Sequence, residues 1–240
     1  MSNKTILITG ATSGIGHSLF EQYSQQGEQI IACGRNQQQL ELMKDKSFKT
    51  CCFDMTDKLA IEKAAASIES LDILILNAGN CRYIDDAKNF DGELFADVIE
   101  TNLISLGWLL QYLLPKVKEG GQLIFVSSSA TLLPFQRSEA YGASKAGIDY
   151  LAKSLRLDLI KEKIDVTLIH PGFIKTPLTD KNDFSMPFLL TSDEAASRII
   201  AAIKKRKAYA HFPKRLTLLL KTISLLPDFI WQKIIVKDSV

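Results

Sequence analysis

The sequence predicts an α/β fold built on one doubly wound parallel sheet with helices on both faces. Three observations carry that reading. Apolar runs of strand length alternate with stretches of helical periodicity along the chain, the rhythm that sets strands side by side and crosses between them with helices. A glycine-rich turn stands directly after the first apolar run. A chain of 240 residues, 46% hydrophobic and 23% charged, suits a single α/β domain whose core forms without metals or disulfides.

In chain order, 5–9 reads as a strand, 15–26 as a helix and 29–33 as a strand. Residues 37–44 follow as a helix, 50–53 as a short strand and 57–68 as a helix with alanine and isoleucine on one face. The 72–76 run is apolar enough for burial on both sides of a sheet. A long helical pattern covers 94–117; then come a strand at 122–127, a helix at 141–161 and a strand at 165–170. A helix at 193–205 and a last strand at 208–211 complete the rhythm. No repeat or linker divides the chain. A ligand is expected beyond the carboxyl ends of the strands, where the strand order reverses.

Between the first strand and helix lies Thr9-Gly10-Ala11-Thr12-Ser13-Gly14-Ile15-Gly16. Glycines there allow a tight turn, close approach of a pyrophosphate and close packing of helix on strand. The helix N-terminus adds free N–H groups and a partial positive charge. The end of the second strand sorts the nucleotide. An acid there would accept from a ribose 2′-hydroxyl and repel a 2′-phosphate; the chain has Cys33-Gly34-Arg35-Asn36 instead. Arg35 offers a planar fork to a 2′-phosphate, so NADP(H) is preferred over NAD(H).

The chemistry centres on Tyr141-Gly-Ala-Ser-Lys145, with Ser128 thirteen residues before the tyrosine. On a helix, Tyr141 and Lys145 share one face about a turn apart. A nearby ammonium favours phenolate and is expected to pull the tyrosine down from its usual value of about 10. A serine from a strand end could hold a carbonyl oxygen beside it. Such a trio suits moving a proton on or off an alcohol oxygen while a hydride moves on or off its carbon. Ser127 and Ser129 compete with Ser128, but side chains alternate along a strand end, so the neighbours should face elsewhere.

A formal net charge of +2 gives no support to a nucleic-acid partner. Cys33, Cys51, Cys52 and Cys81 form no C-x-x-C pair and read as small buried hydrophobes in a reducing compartment. Cys51 and Cys52 should point to opposite faces of a strand. No metal site is expected. The N-terminus lacks a signal-peptide pattern, and no run reaches about eighteen apolar residues; a cytoplasmic location is the expectation.

Taken together, these motifs resemble the short-chain dehydrogenase/reductase family from Lys4 to about Pro213. The quoted residues are T-G-x-x-x-G-I-G at Thr9 to Gly16, Asp54 after the third strand and Asn77-Ala78-Gly79 after the fourth. Further on stand Asn102 in the long helix, then Ser128, Tyr141 and Lys145, then Pro171-Gly172 with Ile174 and Thr176. The resemblance implies a Rossmann-like sheet of strand order 3-2-1-4-5-6-7. It implies that residues 1–212 form the catalytic domain, with 213–240 a basic, apolar helical extension packed on it. Cofactor contacts are implied for Gly10, Thr12, Ser13, Gly14, Ile15, Gly16, Arg35, Asp54, Met55, Asn77, Ala78, Gly79, Tyr141, Lys145, Pro171, Gly172, Ile174 and Thr176. Ser13 stands where NADP users of this type often carry a second basic residue.

The implied mechanism has Ser128 orient the carbonyl oxygen and Tyr141 act as general acid or base. Lys145 lowers the tyrosine's pKa and holds the nicotinamide ribose. Asn102 interrupts its helix and anchors a water in a relay from Lys145, while Thr176 and the Ile174 backbone hold the carboxamide. A protein of the same fold that only senses NADP(H) is the rival reading. Pocket walls are expected from 130–137 and from a lid at 177–190, charged in its outer half and apolar from Met186 to Leu190, favouring a hydrophobic carbonyl or alcohol substrate. The family commonly dimerises through its fourth and fifth helices, where Leu103, Leu106, Leu109, Leu110, Leu113, Leu151, Leu155 and Leu159 supply apolar surface. A tetramer is left open. The C-terminal segment mixes leucines with lysines, Pro227 starting a second helical piece, and reads as a peripheral membrane contact, as packing beside the lid or as burial against another subunit.

Overall fold

Short runs rich in isoleucine, leucine and valine form the strands, and the polar or glycine residues between them carry the turns. A computed structural model describes residues 3–237. Its strands are β1 Thr5–Thr9, β2 Gln29–Gly34, β3 Lys49–Cys52, β4 Leu71–Leu76, β5 Val117–Val126, β6 Asp165–Pro171, β7 Ile174–Lys175, β8 Leu190–Thr191 and β9 Tyr209–Phe212. The helices are α1 Gly14–Gln25, α2 Gln37–Leu42, α3 Lys58–Ala66, α4 Gly92–Ile99, α5 Ser105–Leu113, α6 Glu139–Asp158, α7 Ser192–Lys204, α8 Lys214–Ile223 and α9 Asp228–Lys237.

The main sheet has seven strands in the order β3-β2-β1-β4-β5-β6-β9, and every pairing is parallel. This is the Rossmann-like order expected. Alternation along the strands divides the core. Ile6, Ile8, Ile30, Ile73, Ile75, Ile124 and Ile169 face α1, α2 and α7. Leu7, Ile31, Leu74, Leu76, Leu123, Phe125 and Leu168 face α3, α5 and α6. Each such side chain contributes about 1.5–3 kcal/mol by leaving water, so register and sheet order are fixed together.

Three departures from the expected elements have local causes. The 94–117 pattern is not one helix: α4 ends at Ile99, a π turn spans Glu100–Ile104, and α5 stops at Leu113. Pro115, in the short 3₁₀ turn Leu114–Lys116, cannot continue an α-helical ladder. Val117 therefore joins β5, which begins five residues earlier than the expected 122 and ends at Val126. Ser127 lies just past that end, although its N–H still donates to the Ile169 carbonyl at 2.9 Å. The third departure is the β7–β8 pair, which ties the two ends of the lid together.

Four helices start with a side-chain cap. Asn36, Asp57, Asp91 and Thr191 accept from the N–H groups of Gln39, Ala60, Leu94 and Glu194. Ser13, at the start of α1, makes no such bond. The donors of that first turn therefore face the sheet's carboxyl edge without a side-chain acceptor.

The C-terminal helices pack on the substrate-side loop. Leu216 and Leu220 of α8 meet Leu133, with Leu132, Phe135, Phe173 and Trp231 around them. Trp231 of α9 stands edge-on to Phe135 at 5.6 Å, and its indole N–H donates to the Pro134 carbonyl at 2.6 Å. Residues 1–2 and 238–240 of the two expected units lie outside the described residues.

Candidate active site

The cleft forms where the fold leaves backbone uncovered, above β1 and β4, the neighbours between which the strand order reverses. It measures about 580 Å³. Gly10 turns the chain out of β1 with φ of +67°, a left-handed conformation that favours glycine. Gly16 lies against that turn: a Cβ there would meet the Gly10 carbonyl at 2.1 Å and the Asn77 amide at 2.7 Å. The Thr9 hydroxyl binds the turn to the end of β4, accepting from the N–H groups of Asn77 and Ala78 at 3.0 and 3.1 Å. The Asn77 side chain donates back to the Thr9 carbonyl at 3.0 Å.

The structure gathers nearly all the residues named from the sequence around this one cleft. Gly10, Thr12, Ser13, Gly14, Ile15, Arg35, Asp54, Met55, Asn77, Ala78, Gly79, Ser128, Tyr141, Lys145, Pro171, Gly172, Ile174 and Thr176 line it. Gly16 and Asn102 do not. Gly16 sits behind the turn, where its missing side chain permits close packing.

Asn102 is fully buried in the π turn. Its amide donates to the Asn80 carbonyl at 2.9 Å and to Ser144 Oγ at 3.0 Å, and its Oδ1 accepts from the Asn80 N–H at 2.8 Å. Both amide hydrogens are thus used within the protein, and one Oδ1 lone pair is left for a water. The helix is interrupted as expected, but this side chain chiefly holds the 79–80 loop.

At the carboxyl end of β5, the Ser128 hydroxyl stands near enough to the Tyr141 hydroxyl to favour its ionised form. The Ser128 oxygen accepts from the Ala130 N–H at 3.1 Å, which fixes it at the head of a short 3₁₀ turn. The ammonium of Lys145, buried below them, stands 5.7 Å from the Tyr141 ring centre and donates to the Val126 carbonyl at 3.2 Å. Ser127 and Ser129 are buried, and the Ser127 hydroxyl, at the edge of the same cleft, binds Asp149 and the Lys145 carbonyl.

One electrostatic expectation fails. Burial pushes Tyr141 well above the ordinary phenol range, with the Cys81 thiol opposing ionisation and only the Ser128 hydroxyl favouring it. Burial also lowers Lys145, to about 8, against the upward pull of Cys81 and Asp149. A pocket of low dielectric penalises phenolate and ammonium alike, and here that penalty is the largest influence on each.

Several participants gave little signal in the sequence. Cys81, two residues past Asn77-Ala78-Gly79, faces both Tyr141 and Lys145. Thr179 occupies the groups assigned to carboxamide binding: its hydroxyl donates to the Ile174 carbonyl at 2.6 Å and accepts from the Thr176 N–H at 3.0 Å. Asp54 reaches Arg35 at 3.1 Å, bringing to the nucleotide end the acid that the tip of β2 lacks. Among the cysteines, Cys33 and Cys51 are buried as expected, Cys81 is only partly buried, and Cys52 is exposed, on the opposite face from Cys51.

The lid is held by a charged latch. The Arg137 guanidinium donates to Asp183 in the lid at 2.9 Å and to Asp85 at 2.8 Å. It lies 5.4 Å over the Tyr83 ring, while Tyr83 donates to Asn182 at 3.0 Å and stands edge-on to Phe184 at 5.8 Å. Phe184 also meets Phe173. The 186–190 stretch is not uniformly inward, since Phe188 and Leu189 are both exposed. Such exposed pairs contribute about 0–1 kcal/mol each, enough to bias a loop and too little to lock it. Arg137→Ala should therefore raise KM for substrate by about threefold to tenfold. Nucleotide affinity should stay within about twofold, a contrast that steady-state kinetics with parallel fluorescence titration will read.

Sheet order, glycine turn and cleft define a Rossmann-type α/β protein with its site at the switch point of the sheet. The family model of the short chain dehydrogenases matches residues 4–185. An uncharacterised oxidoreductase of Myxococcus xanthus is 32% identical over 240 residues, covering 95% of this chain and 94% of its own length. The NADP-dependent 3-hydroxy acid dehydrogenase of Escherichia coli K12 is 33% identical over 178 residues, 70% of this chain and 72% of that one. Among solved structures, the closed form of a serine dehydrogenase complexed with NADP+ superposes with a TM-score of 0.77 at 26% identity, covering 87% of this chain and 94% of the other. The chain belongs to the short-chain dehydrogenase family and is an oxidoreductase.

Proposed function

We propose that the protein interconverts a carbonyl and a secondary alcohol with NADP(H), Tyr141 being the general acid in reduction and the base in oxidation. The observation that carries this reading is the meeting of Ser128, Tyr141 and Lys145 at one wall of the cleft. Bound there, the nucleotide supplies or accepts the hydride. Ser128 holds the substrate oxygen, and Tyr141 gives or takes the proton at that oxygen. Lys145 holds the nicotinamide ribose and adds positive charge beneath the tyrosine. Asn102 keeps the 79–80 loop in place and offers Oδ1 to a water. Ile174 and Thr176 would hold the carboxamide, at the backbone groups that the Thr179 hydroxyl occupies.

The residues present fit this cofactor. The first turn of α1 offers uncapped N–H groups, and the Gly10–Gly16 contact leaves a cradle that a Cβ would fill. Arg35 supplies a cation for a 2′-phosphate, which favours NADP(H) over NAD(H). The relatives named for NADP point the same way.

The substrate is an apolar carbonyl compound or alcohol. Leu132, Leu133, Phe135 and Phe173 gather behind the site, and Arg137 is already neutralised by two aspartates. A substrate carboxylate would have to compete with these two aspartates for Arg137. Turnover of NADPH against steroid, acyl, sugar, hydroxy-acid and small aldehyde panels tests this: the highest kcat/KM should fall on apolar carbonyls, and best activity on a sugar or hydroxy acid sinks it.

We assign residues 1–212 to the catalytic unit, 213–240 to an extension of it, and the free thiols to a cytoplasmic, reducing setting. A dimer would pair α5 with α6. Leu106, Leu109 and Leu113 are core residues, so Leu103, Leu110, Leu151, Leu155 and Leu159 remain for that face. The outward side of the extension exposes Leu218, Leu219, Leu225 and Phe229 beside Lys214, Arg215 and Lys221, a pattern suited to peripheral contact with anionic lipid. Co-sedimentation with phosphatidylserine vesicles should fall at least about threefold when Leu218, Leu219 and Leu225 become serine. Equal partitioning of the two forms removes the membrane contact.

A further inference from the structure

Behind the site lies a second polar cluster that the reaction as described does not use. Ser127 follows β5, Asp149 sits one turn beyond Lys145 on α6, and His170 belongs to β6; all three are buried. The Ser127 hydroxyl hydrogen is shared between Asp149 Oδ1 at 2.6 Å and the Lys145 carbonyl at 3.2 Å. His170 Nε2 lies 2.9 Å from Asp149 Oδ1 and 2.8 Å from Oδ2. On the far side of the ring, the Tyr209 hydroxyl stands 3.1 Å from Nδ1. A carboxylate accepts only, so His170 donates from Nε2.

This arrangement is costly to build. A buried ion or ion pair loses hydration worth several kcal/mol, which only close pairing offsets. The immediate neighbours Ile148, Ala152 and Ile169 are ordinary core residues. An apolar residue at 149 could fill the space without that cost. What it could not supply is a fixed anion beside Lys145 and a fixed acceptor for Ser127, the residue joined directly to Ser128.

We propose that Asp149 is a positioning residue for the oxidoreductase reaction: clamped by His170, it fixes Ser127, and through it the Lys145 carbonyl and the chain leading to Ser128, while it sits one turn beyond Lys145 on the same face of α6. The inference rests on Lys145 and Ser128 serving the reaction as proposed above. The ionisable groups near Lys145 are Tyr141 and Asp149 from its own helix and Cys81 from the loop after β4. His170 and Tyr209, from β6 and β9, stand behind Asp149. Burial works against ionisation of Asp149, but the His170 and Ser127 hydrogen bonds keep its carboxyl below the usual range. Asp149 is therefore an anion at neutral pH, and it opposes the loss of the Lys145 proton.

The sign of the test follows. With the carboxylate gone, Lys145 loses a neighbour that favours its ammonium and releases its proton at lower pH. In Asp149→Asn, the ¹³Cε titration of Lys145, assigned by its absence from Lys145→Met, should move down by roughly half a pH unit or more. Turnover should fall about tenfold or more, and the pH at which kcat declines on the alkaline side should fall with the titration. In a folded variant, an unmoved midpoint or unchanged turnover overturns the proposal, since Asp149 would then serve packing alone. Should the single change fail to fold, Asp149→Asn with His170→Gln pairs two amides in the same space and carries the same test. The ¹³C readout needs neither nucleotide nor substrate. A wild type inactive on every carbonyl would overturn the proposed function, and the midpoint would still decide the charge role of Asp149.

Discussion

Tyr141→Phe should lower kcat for carbonyl reduction by roughly 10²–10⁴-fold, the usual range for removing a positioned acid or base. NADPH affinity should stay within about twofold, because the ring and its packing remain and only the hydroxyl is lost. Loss of both turnover and binding would point to a collapsed site, and retained turnover would take the proton role away from Tyr141. The pH dependence carries a second expectation. Burial holds the phenol protonated well above its ordinary range, so it stands ready as an acid and is rarely available as a base near neutrality. Reduction should therefore run without a rise between pH 6 and 8, whereas alcohol oxidation should accelerate as pH rises, by up to about tenfold per unit while the phenolate remains the minor form. Stopped-flow rates in both directions, for wild type and for the phenylalanine variant, read both effects at once. A rate of oxidation independent of pH over that range would mean that Tyr141 is not the limiting base.

Much of this site was legible before any coordinates, because its parts stand at the ends of strongly patterned elements. β1, α1, β4 and β6 announce themselves by apolar periodicity; Gly10 and Asn77 directly follow β1 and β4, Ser128 stands two residues past β5, and Pro171 ends β6. What escaped reading was contact between elements. Cys81, Thr179 and Asp149 bear no motif, and their importance comes from what folding sets beside them: Tyr141, the Ile174 carbonyl and Ser127. The charge state of the tyrosine escaped for a related reason. An i,i+4 spacing reports that Tyr141 and Lys145 are neighbours, but not how much water is removed from both, and desolvation proved the larger influence. The break at Glu100–Ile104 was foreseen from Asn102, whereas the end of α5 at Leu113 was set by Pro115, which apolar periodicity alone overlooks.

Arg35→Ala should weaken NADPH binding by roughly 10–100-fold, as expected for losing hydrogen bonds to a charged group worth about 1.5–3 kcal/mol. NADH binding should change by less than about twofold, so the preference between the nucleotides narrows or reverses. The argument turns on Asp54. Its carboxylate holds the Arg35 guanidinium at 3.1 Å. Burial works against the ionised Asp54, but hydrogen bonds from the Thr56 N–H and hydroxyl, with the Arg35 charge, keep its carboxyl below the usual range. It is therefore an anion at neutral pH, standing close to where a 2′-phosphate would bind Arg35. With side chains 73% and 41% exposed, the pair is a surface ion pair, worth about 0–1 kcal/mol. A 2′-phosphate, carrying more charge and a geometry matched to the guanidinium fork, can draw the arginine away from it. Without Arg35, the same carboxylate is left facing the phosphate and repels it, so the loss should exceed that of one hydrogen-bonded contact. Asp54→Asn runs the experiment in reverse: with the competitor neutral, NADPH should bind about twofold to fivefold more tightly, and raising salt should weaken it more steeply than in the wild type. Fluorescence titrations with both nucleotides across a salt series measure these shifts. A nucleotide ratio unmoved by either substitution would make Arg35 a solvated surface residue and place phosphate discrimination elsewhere, with the uncapped first turn of α1 and its Ser13 the next groups to test.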